Sequence, residues 1–243
     1  MIIDSYAHCD VRFGWEHTPE VVLKMMAQAN IDKAVITTYA DIPGDDPTTL
    51  ERFIEALEKY PDKIVAGFIR INPWYGRKAE ELVEEVSKHP YIKGLKLHPV
   101  SCLMRPNDPP VLSLVKKAGE LGWPVYFHSG DEPMSMPTQI GKSAKACPET
   151  KIIMGHTGGF FYWRDAIKNA RKYSNIYCET SATPFANAIR KAVDILGPER
   201  VMFGSDMPAM HPTVELNKIE AAGLTEDEKQ LVLCDNAKLM LGL

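Results

Sequence analysis

The chain has 243 residues, of which 45% are hydrophobic and 25% charged, with a formal net charge of -4 at pH 7. That length fits one large domain. The charge leaves no basic footprint for a nucleic acid, and no apolar run approaches the roughly 18 residues of a membrane span.

Residues 1–8 read as a first strand, with Asp4, Tyr6 and His8 on one face because strand side chains alternate. A loop over 9–17 follows, then Thr18 and Pro19 as the cap and first turn of a helix. Residues 33–40 form a second strand, and 48–61 an amphipathic helix stopped by Pro61. A third strand spans 63–73 and a third helix 77–90, with Leu82, Val83 and Val86 at helical spacing. The fourth strand, Ile-Lys-Gly-Leu-Lys-Leu-His-Pro, runs from 92 to 99, and a proline-rich loop over 100–110 could cover one end of the fold. A fourth helix ends near Gly122, which fits a C-terminal cap.

The fifth strand covers 124–130 and leads to a short helix ending near Pro148. The sixth strand, 151–158, runs into Gly155, His156 and Thr157, and is followed by a helix over 162–174. The seventh strand covers 175–182, with a helix over 184–197, and the eighth 200–208. Two helical segments close the chain, the last expected to seal the bottom or side of the fold. Eight strand–helix units with short connections imply a parallel sheet covered on both faces, and the strands are apolar enough for that. The expected fold is an α/β (β/α)₈ TIM barrel in a single domain over 1–243. An open doubly wound sheet is the runner-up, but it would usually carry a glycine-rich phosphate turn after the first strand, and Tyr6 to Gly14 is not one.

Five of these runs end on a metal-capable or proton-transferring group: His8, His98, His128, His156 and Asp206. A parallel barrel gathers such ends at its carboxyl-terminal face, where barrel active sites lie. His8, His128 and Asp206, from strands 1, 5 and 8, offer two imidazoles and a carboxylate, enough for an open divalent-metal site. Such an ion lowers the pKa of its water toward ~7. Asp206 could accept the proton, and His156 could orient the water or polarise a substrate oxygen. The five cysteines, Cys9, Cys102, Cys147, Cys178 and Cys234, show no paired spacing and read as reduced thiols. With no basic segment ahead of the first apolar run, a cytoplasmic protein is expected.

The motifs resemble a known family. Ile-Asp-Ser-Tyr-Ala-His resembles the Asp-x-His-x-His opening of the amidohydrolase superfamily. The runs ending at His98, His128, His156 and Asp206 resemble later strands of its amidohydrolase-related branch, which also holds nonhydrolytic decarboxylases. The closing Asp235-Asn236-Ala237 segment is similar to that branch's last helix. The resemblance spans the whole chain. It implies a distorted barrel and one divalent metal, usually zinc with manganese as the alternative. It also implies ligands from strands 1, 5 and 8 and a catalytic strand-6 histidine. The chain departs from the pattern at Tyr6, where the first histidine would lie. A phenol must lose a proton with a pKa of about 10 to become a good ligand. Tyr6 could bind as a phenolate, hydrogen-bond the metal water, or fill space.

Lys96 is expected to bind a substrate carboxylate. His98 faces substrate or holds the strand-4 loop. Arg12, Trp15 and Arg105 lie on loops at the site end and are candidates for substrate contact. Glu179 and Ser181 end strand 7 and could support the site from behind. The leading function is a metal-dependent hydrolase of a C–O or C–N bond in a small organic acid, lactone or amide. A metal-dependent decarboxylase on the same fold is the alternative. A barrel that binds a small molecule without catalysis is a second one. The partner is a small-molecule substrate, with neither nucleic acid nor membrane; a homodimer is one assembly open to it.

Overall fold

A computed structural model of the chain describes every residue except Phe13, and the side chains of Arg12 and Trp15 also lie outside the described part. Among the described residues, eight strands line up in sequence order in one parallel sheet. They are β1 (Ile3–His8), β2 (Lys33–Thr37), β3 (Ile64–Arg70), β4 (Ile92–Leu97), β5 (Val125–Phe127), β6 (Ile152–Met154), β7 (Ile176–Glu179) and β8 (Val201–Met202). All eight expected strands are present. β8 returns to β1 through a parallel bridge between Ala7 and Met207 and through backbone bonds Ser5 N–H to Phe203 O and Asp206 N–H to Tyr6 O. The sheet thus curls into a nearly closed TIM barrel with helices between its strands.

Alternation of strand side chains sorts the core into two layers. Tyr6, Val35, Ala66, Phe68, Tyr126, Ile153 and Met202 pack together as the barrel interior, joined by Met240 and Leu241 of the terminal helix. That helix therefore closes one end of the barrel, as expected. The opposite faces of the strands, including Ile36, Ile69, Leu95, Phe127, Met154 and Phe203, pack against the surrounding helices. In helix Thr49–Lys59, Phe53, Ala56 and Leu57 form the buried stripe that four-residue spacing predicts. A Cβ at Gly67 would lie 2.5 Å from Phe53 Cζ, so the missing side chain on β3 makes room for that ring.

Local signals explain the ends. Helix Pro109–Glu120 stops as a paired left-handed cap requires: Gly122 has φ +71°, Trp123 N–H donates to Ala118 O, and Gly122 N–H to Gly119 O. Thr18 does stand just before helix Pro19–Gln28, but its side chain makes no capping bond. Two expectations are refined. The 9–17 loop contains a two-stranded antiparallel ribbon, Asp10–Arg12 against Trp15–His17. The 100–110 loop begins as a one-turn helix, Pro99–Cys102. Both follow barrel strands at their carboxyl ends. No helix among the described residues is long and apolar enough to cross a membrane.

Candidate active site

The carboxyl ends of seven strands meet around a cavity of about 140 Å³ lined by Tyr6, His8, Tyr39, Arg70, His98, His128, His156 and Asp206. Five of these, His8, His98, His128, His156 and Asp206, are the strand-end groups read from the sequence. A larger cavity of about 220 Å³ lies between the 10–17 ribbon and helix Thr49–Lys59, away from the histidine cluster.

The wall formed by β1 and β8 centres on His8 Nε2, which lies 2.9 Å from the Tyr6 hydroxyl and 3.1 Å from Asp206 Oδ1. Tyr39 stacks on the His8 ring with centroids 3.9 Å apart. Asp206 is carried on left-handed backbone, φ +60°, a conformation that Asp tolerates better than most residues. Asp4 anchors this bend: its Oδ1 accepts from the N–H groups of Tyr6 and Ser205, and its Oδ2 takes a short bond from the Ser205 hydroxyl. Burial raises the Asp206 carboxyl, but the His8 hydrogen bond and the facing charges outweigh it and bring the pKa down to about 2. Burial lowers His8 and lifts the Tyr6 phenol well above its ordinary value. Tyr6 therefore stands as a neutral phenol, with its ring stacked 4.1 Å from Tyr126.

The wall formed by β5, β6 and β7 is a chain of hydrogen bonds. His128 Nε2 meets Asp131 Oδ2 at 2.6 Å, and His128 Nδ1 meets His156 Nε2 at 3.0 Å. His156 Nδ1 lies 2.9 Å from Ser181 Oγ. The turn that delivers His156 is left-handed throughout, at His156 (φ +60°), Thr157, Gly158 and Gly159. Bonds from Thr157 Oγ1–H to Glu179 O and from Gly158 N–H to Ser129 Oγ hold it. A Cβ at Gly130, φ +111°, would sit 2.9 Å from the Gly158 carbonyl, so glycine lets the β5 and β6 loops touch and brings the two histidines together. Burial, aided by His128, drops the His156 pKa to about 3, and burial lowers His128 and His98 as well.

His98 holds the strand-4 loop and lines the cavity. Its Nδ1 accepts from Ser101 N–H, capping the turn that opens the loop, and its ring stacks 4.1 Å from that of His128 on the cavity wall. Lys96 does not line the cavity. It is fully buried, with Nζ 4.5 Å from the Tyr6 ring centroid and 4.2 Å from that of Tyr126, and with no hydrogen-bond partner. Burial drives its pKa well below the ordinary value. The expected contact with a substrate carboxylate is not served by that position. Arg70 is the cation on the wall: Asp41 accepts from its Nε at 2.6 Å and Ser101 Oγ from its Nη2 at 2.7 Å. Arg70 and Tyr39 follow the same strand-end rule as the histidines, so the rule could have found them. Asp131 could not be placed this way, because only the turn after β5 brings it back to His128. Arg105 is exposed beyond the cavity, with its backbone N–H bound to Asp108. The Arg12 side chain lies outside the described residues.

Two donors held about 2.0–2.2 Å from one tetrahedral ion lie about 3.3 Å apart. The spacing of His8 Nε2 and Asp206 Oδ1 fits such a pair. Among the described residues, however, no group of three or more His, Cys, Asp or Glu side chains surrounds a single point. Both ring nitrogens of His128 are engaged, so it joins the pair only when its ring leaves Asp131.

A family model described as amidohydrolase, Amidohydro_2, matches residues 14–243. Among curated proteins the sequence finds no match. Three similar solved structures illustrate the fold. The 5-carboxyvanillate decarboxylase of Sphingomonas paucimobilis is 17% identical, with a TM-score of 0.75 over 100% of this chain and 99% of its own. A dihydroxybenzoic acid decarboxylase of Polaromonas sp. JS666, with bound manganese and 2-nitroresorcinol, is 15% identical, with a TM-score of 0.76 over 100% and 97%. A protein of Acinetobacter baumannii described as a probable 2-pyrone-4,6-dicarboxylic acid hydrolase, with citric acid bound, is 17% identical, with a TM-score of 0.71 over 100% and 99%. With the family model covering all but the first 13 residues, the chain belongs to the amidohydrolase (Amidohydro_2) family.

Proposed function

We propose that the chain is a metal-dependent enzyme acting on a small carboxylic acid or its lactone or amide, and that it cleaves a C–O or C–N bond with water. The observation that carries this is the shared wall: an acid–base set of His8, His156 and Asp206 faces the same cavity as the Arg70 guanidinium. His8 and Asp206 would hold one divalent ion, zinc or manganese, with His128 as the third ligand. When bound, such an ion supplies Lewis acidity and a water that ionises near neutral pH.

The side chains supply the rest. Asp206, ionised at neutral pH, is placed to take a proton from the attacking water. His156, neutral because burial lowers its pKa, is placed to hydrogen-bond a substrate oxygen or to pass a proton to the leaving group. Arg70, pre-oriented by Asp41 and Ser101, would bind a substrate carboxylate and fix its register. Tyr6, as a neutral phenol, would donate a hydrogen bond at the ion's side of the cavity. The small cavity favours a compact substrate.

Decarboxylases among the similar structures support a second reading on the same residues. There Arg70 and the ion would orient the acid, and His156 or Asp206 would deliver a proton to carbon as CO₂ leaves. A panel of small aromatic and aliphatic carboxylates, lactones and amides, assayed with added Zn²⁺ or Mn²⁺, tests both. The hydrolytic reading expects a new acid or alcohol from at least one compound, and loss of turnover with a chelator. Release of CO₂ from an acid, with no hydrolysis product, would replace it with the second. Turnover indifferent to the chelator would overturn both.

A further inference from the structure

The carboxyl ends of β2, β3 and β4 are tied together at one residue, Ser101, in the turn that follows His98. Its hydroxyl oxygen accepts from Arg70 Nη2–H at 2.7 Å. The same hydroxyl lies 2.9 Å from both Asp41 Oδ2 and the His98 carbonyl, either of which takes its proton. Asp41 Oδ1 accepts from Arg70 Nε–H at 2.6 Å. A guanidinium carries its five N–H groups in one fixed plane. Asp41 and Ser101 take the edge formed by Nε and Nη2. The end edge, Nη1 with the second Nη2 proton, has no partner among the described residues. The backbone of Ser101 acts on His98. Its N–H can only donate, so His98 Nδ1, 3.2 Å away, is the acceptor, and the proton of the ring lies on Nε2. No described residue takes that proton. Arg70 and His98 both line the cavity, and neither Nη1 nor Nε2 is among the sealed polar atoms that lack a partner. Two donors therefore open onto the same space from adjacent strands.

We propose that the end edge of Arg70 and the Nε2–H of His98 form one carboxylate subsite, with Ser101 as the positioning residue that aims both donors. It aims Arg70 through its hydroxyl and His98 through its backbone N–H. Two parallel N–H groups match the two oxygens of a carboxylate, and a further donor from the neighbouring strand strengthens the hold on one of them. The proposal rests on the reading of Arg70 as the partner of a substrate acid, and adds where that acid sits. In a barrel of eight strands in sequence order β4 stands opposite β8, so His98 faces Asp206 across the cavity. The acid held by Arg70 and His98 is then an anchor, not the reacting group. The substrate class this points to is a carboxylate-bearing ester, lactone or amide, with its scissile carbonyl on the Asp206 side.

The test uses the full-length protein treated with chelator, so that no ion competes for the carboxylate. Acetate is the probe and acetamide its uncharged counterpart. Nitrogen spectra of the histidines, with His98 assigned by loss of its signals in His98→Phe, should show a pyridine-type Nδ1 and a pyrrole-type Nε2 at His98. Acetate should shift the His98 Nε2 signal saturably, and acetamide should not. Ser101→Ala removes the hydroxyl but keeps the backbone N–H. His98 should then keep its tautomer while acetate binds about tenfold more weakly, and Ser101→Thr should restore the affinity. With a carboxylate-bearing lactone or amide that turns over, Ser101→Ala and His98→Phe should each raise KM about tenfold, more than they lower kcat. A pyrrole-type Nδ1 at His98 in the wild type, or an acetate titration that leaves its Nε2 signal unmoved, would overturn the proposal. So would CO₂ released from the acid itself with the same dependence on His98 and Ser101, because the anchored acid would then be the reacting group. If no compound in the panel turns over while acetate still shifts His98, the functional reading fails and the carboxylate subsite stands.

Discussion

The two walls of the cavity use the same residue types for different ends. On the β1–β8 wall a carboxylate, Asp206, lies 3.1 Å from the imidazole of His8 inside the cavity. On the β5–β7 wall the carboxylates sit at the ends of the chain, Asp131 outside and Glu179 behind, with two imidazoles between them. A carboxylate beside an imidazole puts negative charge where a cation can be held. A carboxylate at the far end of a hydrogen-bonded row instead fixes where each proton sits. The backbone differs less than the side chains do. Asp206 and His156 both stand at φ +60°, a conformation that costs on the order of 1–3 kcal/mol and recurs at functional sites.

Substitutions on each wall should separate these roles. Asp206→Asn removes the charge from the first wall, and turnover should drop about 10³-fold together with metal content. A variant that keeps its metal and loses only turnover would assign Asp206 to proton transfer alone. His156→Gln should cost about 10²-fold in turnover while metal content stays, because His156 moves protons without holding the ion; elemental analysis beside steady-state kinetics reads both. Arg70→Met should raise KM about 10–100-fold for a carboxylate substrate, the worth of a charge-assisted hydrogen bond of about 1.5–3 kcal/mol, and leave an uncharged ester or lactone less affected. Equal losses on both substrates would place Arg70 in the scaffold.

How far the sequence carried this picture depends on distance along the chain. The barrel was legible because each strand is a local apolar run and each helix a local period. His8, His128, His156 and Asp206 were legible because a strand end announces itself. Tyr6 was legible as a departure but not as a partner, since the 2.9 Å contact between its hydroxyl and His8 Nε2 depends on a rotamer. The depth of Lys96 is illegible for a related reason. Alternation puts it on the inward face, but depth along the strand decides between cavity and core, and two tyrosine rings take the space around its amine. The row from Glu179 to Asp131 joins three strands and a turn, and no local pattern encodes it.

Two smaller effects sharpen the first wall. Tyr6→His replaces a phenol, held neutral by burial, with a nitrogen donor that needs no deprotonation. Zn²⁺ should bind about tenfold more tightly, with a flatter pH dependence on the alkaline side; equal or weaker binding would mean that position 6 does not reach the ion. Asp4 bears on stability. Burial lifts its carboxyl to about 7. The folded chain therefore keeps a proton that the unfolded chain releases near its ordinary pKa of about 3.9. Stability should accordingly fall as pH rises from about 4 to about 7 and level off above. Asp4→Asn keeps the acceptor for Tyr6 and Ser205 and should flatten that window in urea midpoints measured across it. An unchanged slope would show that Asp4 is ionised in the fold.

The central claim, that His8 and Asp206 hold one divalent ion at the carboxyl end of the barrel, is tested most directly by titrating chelator-treated protein with Zn²⁺ and Mn²⁺ by calorimetry, wild type beside Asp206→Ala. The predicted result is one ion per chain in the wild type and loss of that binding in the variant. No saturable binding in the wild type, or a site that survives Asp206→Ala intact, would contradict it.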